Sequence, residues 1–410
     1  MDMFTNGIDF LFHIYLGRAL PPAGFAVVQT ANSVLLVVVT AFAVLQPVVA
    51  RFVAAATVED EQITPRAIFQ GYFRQSIILG IVLIAITFFL RQYIGRWLNI
   101  PVAAATTMSM MALLALTRPV VAGMLQGLQR FLAFGLTRTV YALARFTAVL
   151  VLIGILGGGA VAGVIAIPIG GLVALVAGLA FLGADVWKKT ERVPRSMVLD
   201  GWRLSVAALL AYTAFMGLQN SDLIWVNRLF EADAAGAYAS VVVLRRVVSV
   251  LPGAVIVIFY PRVVAKVTQG ILPDSLLAKA AILVAGAGAV LTVLYFVLGP
   301  AIVDIIFGSD YKDAGAILGW MGVSMIGFGL GVIWLNLFLA TRPWPFVAVL
   351  LAVLLGQTAL LASVSSSIAE VTAIFGLSGW IIAIGGLMLY LGWLRPLLAR
   401  QNEEKEIVDG

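Results

Sequence analysis

The chain has 410 residues, of which 62% are apolar and only 11% charged, with one histidine and no cysteine. An average soluble domain carries roughly 45–50% apolar and about 25% charged residues, so so little charge excludes a solvated globular surface and marks a membrane chain. Missing cysteines remove disulfides and thiolate chemistry, and one histidine leaves almost nothing for a transition metal. The formal charge of +6 does not mark a nucleic-acid binder, because the basic residues are spread over the connectors between apolar runs and form no single patch.

A bilayer-spanning helix needs about 20 apolar residues. Runs such as "SVLLVVVTAFAVL" and "IILGIVLIAITFFL" satisfy their backbone in lipid only as helices. Taken in order, the runs predict twelve spans at 4–20, 26–50, 71–90, 102–125, 131–156, 160–183, 203–227, 237–263, 279–303, 314–340, 344–363 and 370–394. The first is short, begins almost at Met1 and carries Asp9 and His13, from which a natural start further upstream is expected. A cleaved signal peptide does not fit it, since there is no basic leader and no A-x-A-like site. The fifth and sixth spans are separated only by "GGGAVAG", either a tight turn or a close helix contact. Pro47, Pro119, Pro168 and Pro252 fall inside predicted helices, where proline removes a backbone bond. The glycine pairs Gly154 and Gly158, Gly159 and Gly163, and Gly327 and Gly331 have the spacing of close helix packing.

The most basic connector, "DVWKKTERVPRSMVLDGWR", divides the chain in the middle. With the amino terminus inside, most of the 26 lysines and arginines fall in cytoplasmic connectors and ends, as the positive-inside rule requires. The expected organisation is a six-helix lobe over 1–183, a basic cytoplasmic linker over 184–202, a second six-helix lobe over 203–394 and a charged cytoplasmic tail over 395–410. The expected location is the cell (plasma or inner) membrane, crossed many times, with both termini in the cytoplasm.

The two halves repeat. Asp9 aligns with Asp222, Gly24 with Gly236 and Pro47 with Pro261, at offsets of 213, 212 and 214 residues. Arg130 and Arg342 keep the register at 212, and "GRWLNIP" lies opposite "IIFGSDY". A near-constant offset through successive hairpins argues for internal duplication. Six crossings per repeat leave both halves pointing the same way, so the expected fold is all-α: about twelve transmembrane helices in two parallel six-helix lobes around a central cavity. That architecture suits alternating access, and a scaffold without transport is the competing reading.

The segments "YLGRALPPAGFAVVQ", "GMLQGLQRFLAFG", "NSDLIWVNRLFEADAAGAYASV", "LPGAVIVIFYPRV" and "FGSDYKDAGAILGWM" together resemble, in order and spacing, the polysaccharide-transporter (Wzx-like) branch of the multidrug/oligosaccharidyl-lipid/polysaccharide (MOP) flippase superfamily. The resemblance covers nearly the whole chain. It implies a flippase moving a lipid-linked oligosaccharide, typically on polyprenyl pyrophosphate, from the inner to the outer leaflet for cell-surface polysaccharide synthesis. Members usually have more residues ahead of the first helix, a departure that bears on the cavity face of helix 1.

A lipid-facing charge at the bilayer centre costs about 2.5–3.5 kcal/mol on insertion scales, so buried ionisable groups should face the interior. Arg118, Arg145, Arg245 and Arg246 are the candidates for holding a diphosphate, because guanidinium stays charged and offers paired donors matched to phosphate oxygens. The resemblance adds that related lipid flippases carry cavity arginines, including on the eighth helix, where Arg245 and Arg246 lie. Arg118 has a second reading, snorkelling toward the cytoplasmic interface. Asp222 lies about as far before the external turn as Arg245 and Arg246 lie beyond it, so a structural ion pair competes with ion coupling there. Asp9 has no arginine at matching depth on the second helix but has His13 one turn on, a pair able to take up a proton. Asp9, His13 and Asp222 are therefore the candidates for coupling to H+ or Na+.

Two other functions compete. A multidrug exporter of the same superfamily would hold organic cations with acids and aromatics. A membrane-embedded polymerase or ligase acting on the same lipid donor would need a large external loop or a catalytic polar cluster, and Ser365 to Ser367 read as a turn. Without a GxGxxG or P-loop motif, no nucleotide cofactor is expected. The expected partners are the lipid-linked substrate and membrane lipids, for a monomer that binds no nucleic acid.

Overall fold

The computed structural model describes residues 2–58, 64–190, 195–269, 271–363 and 366–400, and among these it is helical without a strand. The helices are α1 (Asp2–Ala19), α2 (Pro22–Ala43), α3 (Leu45–Val58), α4 (Pro65–Phe89), α5 (Arg91–Leu98), α6 (Val102–Gly127), α7 (Phe131–Val149), α8 (Ala160–Leu182), α9 (Arg195–Leu229), α10 (Ala232–Thr268), α11 (Asp274–Phe307), α12 (Leu318–Ala340), α13 (Pro343–Ser363) and α14 (Ile368–Leu389). A helix covers each of the twelve predicted stretches, with two refinements. The second is broken at Val44 into α2 and α3, which places Pro47 in the first turn of α3, where a missing N–H breaks no intrahelical bond. The segment after α4 folds as the additional short helix α5, whose left-handed Asn99 lets the Ile100 N–H donate back to the Gly95 carbonyl at 2.9 Å. Its repeat mate, Ser309–Ile317, is a 3-10 segment entered through Gly308 at φ 110°. Pro119 and Pro168 lie inside α6 and α8 as predicted, while the side chains of Pro252 and Ser365 lie outside the described residues. So do 191–194 of the basic connector and 401–410 of the tail.

Nine helical stretches among the described residues are long and apolar enough to cross a bilayer. Their surfaces require lipid: Phe89 on α4 is 81% exposed and Ile305 on α11 72%, with Ile81, Val290 and Val297 likewise outward. "GGGAVAG" is a tight turn. The π-helical end of α7 (150–155) runs into Gly157 at φ 69°, and Gly159 caps α8. Ser367 caps α14 by accepting from the Glu370 N–H at 3.2 Å, while the Ser366 N–H donates to the Glu370 carboxylate at 2.7 Å, so this serine cluster is a helix start.

The chain divides into two compact units. One comprises α1–α8, the first half of α9 and the turn 230–236; the other comprises 214–229 and everything from Ala237 onward. In the first unit α6 is the central helix: its buried Leu116, Val120, Met124 and Leu125 pack with Leu45, Val49 and Val53 of α3 and with Ile68, Phe69 and Tyr72 of α4. Gly123 and Gly127 permit this approach, since a Cβ at either would lie within 3 Å of the α3 backbone carbonyls of Gln46 or Ala50. The Gln70 amide donates to the Val186 and Lys188 carbonyls at 2.7 and 3.0 Å, strapping the connector after α8 to α4.

In the second unit α12 is the buried helix. It crosses α14 where a Cβ on Gly327 would stand 2.8 Å from the Gly379 carbonyl carbon and 2.9 Å from the Trp380 nitrogen. Gly286 on α11 has nothing within 4 Å of an added Cβ. Two backbones cannot yield as a side-chain tip can, so Gly327→Ala is expected to lower stability by about 1–3 kcal/mol. Gly286→Ala, with only helix propensity at stake, should raise it by up to about 1 kcal/mol. Thermal unfolding of the purified protein checks the opposite signs.

Candidate functional site

On α7 the sequence "RTVYALAR" sets Arg138, Tyr141 and Arg145 at i, i+3 and i+7, on one helix face. The neighbouring α8 approaches just behind them, because a Cβ on Gly170 would come within 2.8 Å of the Arg145 Cβ and 2.9 Å of the Tyr141 carbonyl oxygen. From α1, Thr5, Asn6 and Asp9 turn toward the same space; from α2 come Asn32 and Val39, and from α6 Met111 and Arg118. These side chains enclose a cavity of about 230 Å³ within the first unit. A second cavity of about 190 Å³ adjoins it through a shared wall of Val39, Arg118 and Arg138, and is lined otherwise by Leu114, Phe134, Leu175 and Gln46. Both chambers are lined mainly by apolar atoms and share the Arg118 and Arg138 guanidinium groups; the first adds Asp9 and Arg145.

Three guanidinium groups and one carboxylate thus line a single chamber. Arg145 is buried, donates to Asp9 Oδ1 at 2.8 Å and lies 4.0 Å over the Phe12 ring. Its bond to the Tyr141 hydroxyl is long, 3.5 Å, and its Nε is buried and meets no acceptor among the described residues. Arg118 is half-buried and stacks over Tyr141 at 4.3 Å, which places its head in the cavity wall. Arg138 is exposed. The lining of this chamber thus carries three basic groups and one acidic group.

His13 is buried, with Nδ1 2.8 Å from the Gln29 amide nitrogen, edge-on to Phe12. Asp9, one turn away on α1, is held by Arg145, from a helix that the hairpin order does not place beside it.

In the second unit Asp222 is fully buried, and Arg245 clasps it with two nitrogens, one at 2.9 Å from Oδ1 and the other on Oδ2. Tyr238 donates its hydroxyl to Oδ2 at 2.6 Å. Arg245 also donates to the Gln219 carbonyl at 2.6 Å and lies 4.1 Å over Phe375. The shared depth of α9 and α10 brings this pair together, and its donors are committed within the unit. Arg246, the next residue, is half-buried.

Of the seven residues singled out from the sequence, Asp9, Arg118 and Arg145 line the first chamber, with His13 buried one turn from Asp9 on α1; Asp222, Arg245 and Arg246 belong to the second unit. Arg138 is missed at the level of sequence because, near the start of α7, it counts among the basic residues of a cytoplasmic end. The signal that finds it is the seven-residue spacing to Arg145.

Helices of this length and apolar exposure, with an arginine-lined chamber in the first unit, define a multi-pass membrane protein. The chain belongs to the polysaccharide biosynthesis protein family, whose model matches residues 1–265. Its fold is that of the MOP transporters. It is similar to the lipid II flippase MurJ in an inward closed conformation (TM-score 0.76, 10% identity, covering 99% of this chain and 90% of that one). It is also similar to a multidrug resistance MATE family transporter of the MOP superfamily in an inward-facing conformation (0.74, 14%, 97% and 96%). A third likeness is a MOP superfamily transporter from Pyrococcus furiosus, described as having a binding pocket of reverse polarity (0.61, 14%, 97% and 92%). No curated protein matches the chain in sequence.

Proposed function

We propose that the protein is a flippase that carries a lipid-linked oligosaccharide, joined through a polyprenyl diphosphate, from the inner to the outer leaflet of the cell membrane. The observation that carries this is the chamber lined by Arg118, Arg138 and Arg145 against the single acid Asp9. A diphosphate is the anionic element common to such donors, and guanidinium binds its oxygens in pairs without titrating. The adjoining chamber, which shares Arg118 and Arg138, adds Leu114, Phe134 and Leu175, side chains that suit the start of an isoprenoid chain. Membership of the polysaccharide biosynthesis family supports the glycan class. An organic cation would be repelled by the same surplus of guanidinium, which disfavours a multidrug exporter. The acid that lines the chamber, Asp9, is engaged by Arg145, which disfavours a polymerase or ligase that would use it for proton transfer. Both termini lie in the cytoplasm on this reading, from the distribution of basic connectors.

Reconstituted in liposomes with a fluorescent polyprenyl-diphosphate oligosaccharide, the protein is expected to move label between leaflets, and a polyprenyl chain without the diphosphate should stay where it is. Equal movement of both lipids, or of neither, would sink the proposal.

A further inference from the structure

Asp9 and Asp222 occupy matching places in the two halves, and each meets an arginine, but the two pairs are built differently. Asp222 is fully buried, clasped by two nitrogens of Arg245 and bonded by Tyr238. Asp9 is 37% exposed at its side chain, receives one nitrogen of Arg145 at 2.8 Å, and lines the first chamber. Arg145 for its part keeps donor capacity unused. The first arrangement is closed and the second open to exchange.

We propose that Asp9 is an internal counter-ion that occupies Arg145 until a phosphate of the substrate displaces it, so that this acid opposes loading of the chamber. The inference rests on the flippase reading for the identity of the anion. A phosphate reaching Arg145 exchanges a single charged bond for the paired bonds a guanidinium can give, and releases Asp9 into a chamber with room for it. Arg118 and Arg138 hold the anion while Asp9 repels it, which keeps binding strong enough to load and weak enough to release, as transport across a barrier requires. Asp222, fully buried and bonded by both Arg245 and Tyr238, lines neither of the two chambers described above.

The test uses the purified full chain and inorganic pyrophosphate, titrated by calorimetry. Asp9→Asn is expected to bind pyrophosphate about tenfold more tightly than the wild type, since the competitor is gone while all three arginines remain. Asp9→Asn with Arg145→Gln should lose that gain. Unchanged or weaker binding in Asp9→Asn overturns the proposal. Asp9→Cys, unique in a chain without cysteine, tests the same point should the amide accumulate poorly. A sulfonate-bearing thiol reagent restores the competing anion and should weaken binding about tenfold relative to a neutral reagent, and equal affinities overturn the proposal. Failure of the flippase reading looks different: pyrophosphate then binds neither wild type nor any variant. If wild type binds, Arg118→Gln weakens binding and Asp9→Asn changes nothing, only the counter-ion role falls.

Discussion

Asp222→Asn and Arg245→Gln are each expected to deplete the protein from the membrane, while the two together restore it. Either single change strands a buried group: a guanidinium beside Phe375 without its carboxylate, or a carboxylate held only by Tyr238. Breaking a buried pair from one side costs about 3–5 kcal/mol, whereas removing both charges avoids that penalty. With a typical total stability of about 5–15 kcal/mol, the single variants lose a large fraction of it. The double variant should recover to within about 2 kcal/mol, limited by the void that the shorter glutamine leaves. Membrane abundance and thermal unfolding of the three variants check this, and a double variant as depleted as the singles would show that the pair is not the source. Since the donors of Arg245 are committed within its own unit, the double variant is also expected to keep glycan export. A folded double variant that exports nothing would place Arg245 in the transport mechanism itself.

Arg118→Gln and Arg138→Gln are expected to behave the opposite way, accumulating normally and failing to export. Asp9 remains paired with Arg145 in both variants, and neither Arg118 nor Arg138 is fully buried, so stability should move by less than about 1 kcal/mol. Each removes a charged donor from the chamber, and a hydrogen bond to a charged group contributes about 1.5–3 kcal/mol, equivalent to roughly ten- to a hundredfold in transport. Arg118→Lys should recover only part of the loss, since an ammonium keeps the charge and the position over Tyr141 but not the paired geometry. Outer-leaflet glycan, normalised to protein abundance in cells lacking their own flippase, is the measurement. Full export by both glutamine variants would remove arginine-held diphosphate from the mechanism.

The twelve spans were legible in the sequence because a bilayer imposes both a length and an apolar composition, and because a lipid-embedded backbone satisfies itself within each helix. A pair between Asp222 and either Arg245 or Arg246 was legible for a related reason: α9 and α10 are joined by a short turn, so equal distances from it mean equal depth, while the structure selects Arg245. Asp9 and Arg145 share no such turn. Their helices are separated by five others in the chain, and no depth count says that α1 and α7 are neighbours. The break at Val44 was written as Pro47, but a proline inside an apolar run does not say whether the helix bends or stops.

By itself the sequence determined the membrane setting, the all-helical class and a shortlist of charges that lipid would not tolerate, since each follows from composition or from distance along one hairpin. Only the tertiary structure decided which of those charges share a chamber. In helices apolar on nearly every side, periodicity does not set rotation about the axis or choice of neighbour. Close contacts do, such as Gly170 beneath Arg145 and Gly123 against Gln46. Those contacts turn Arg138, Arg145 and Arg118 into one cavity and leave Arg245 locked to Asp222.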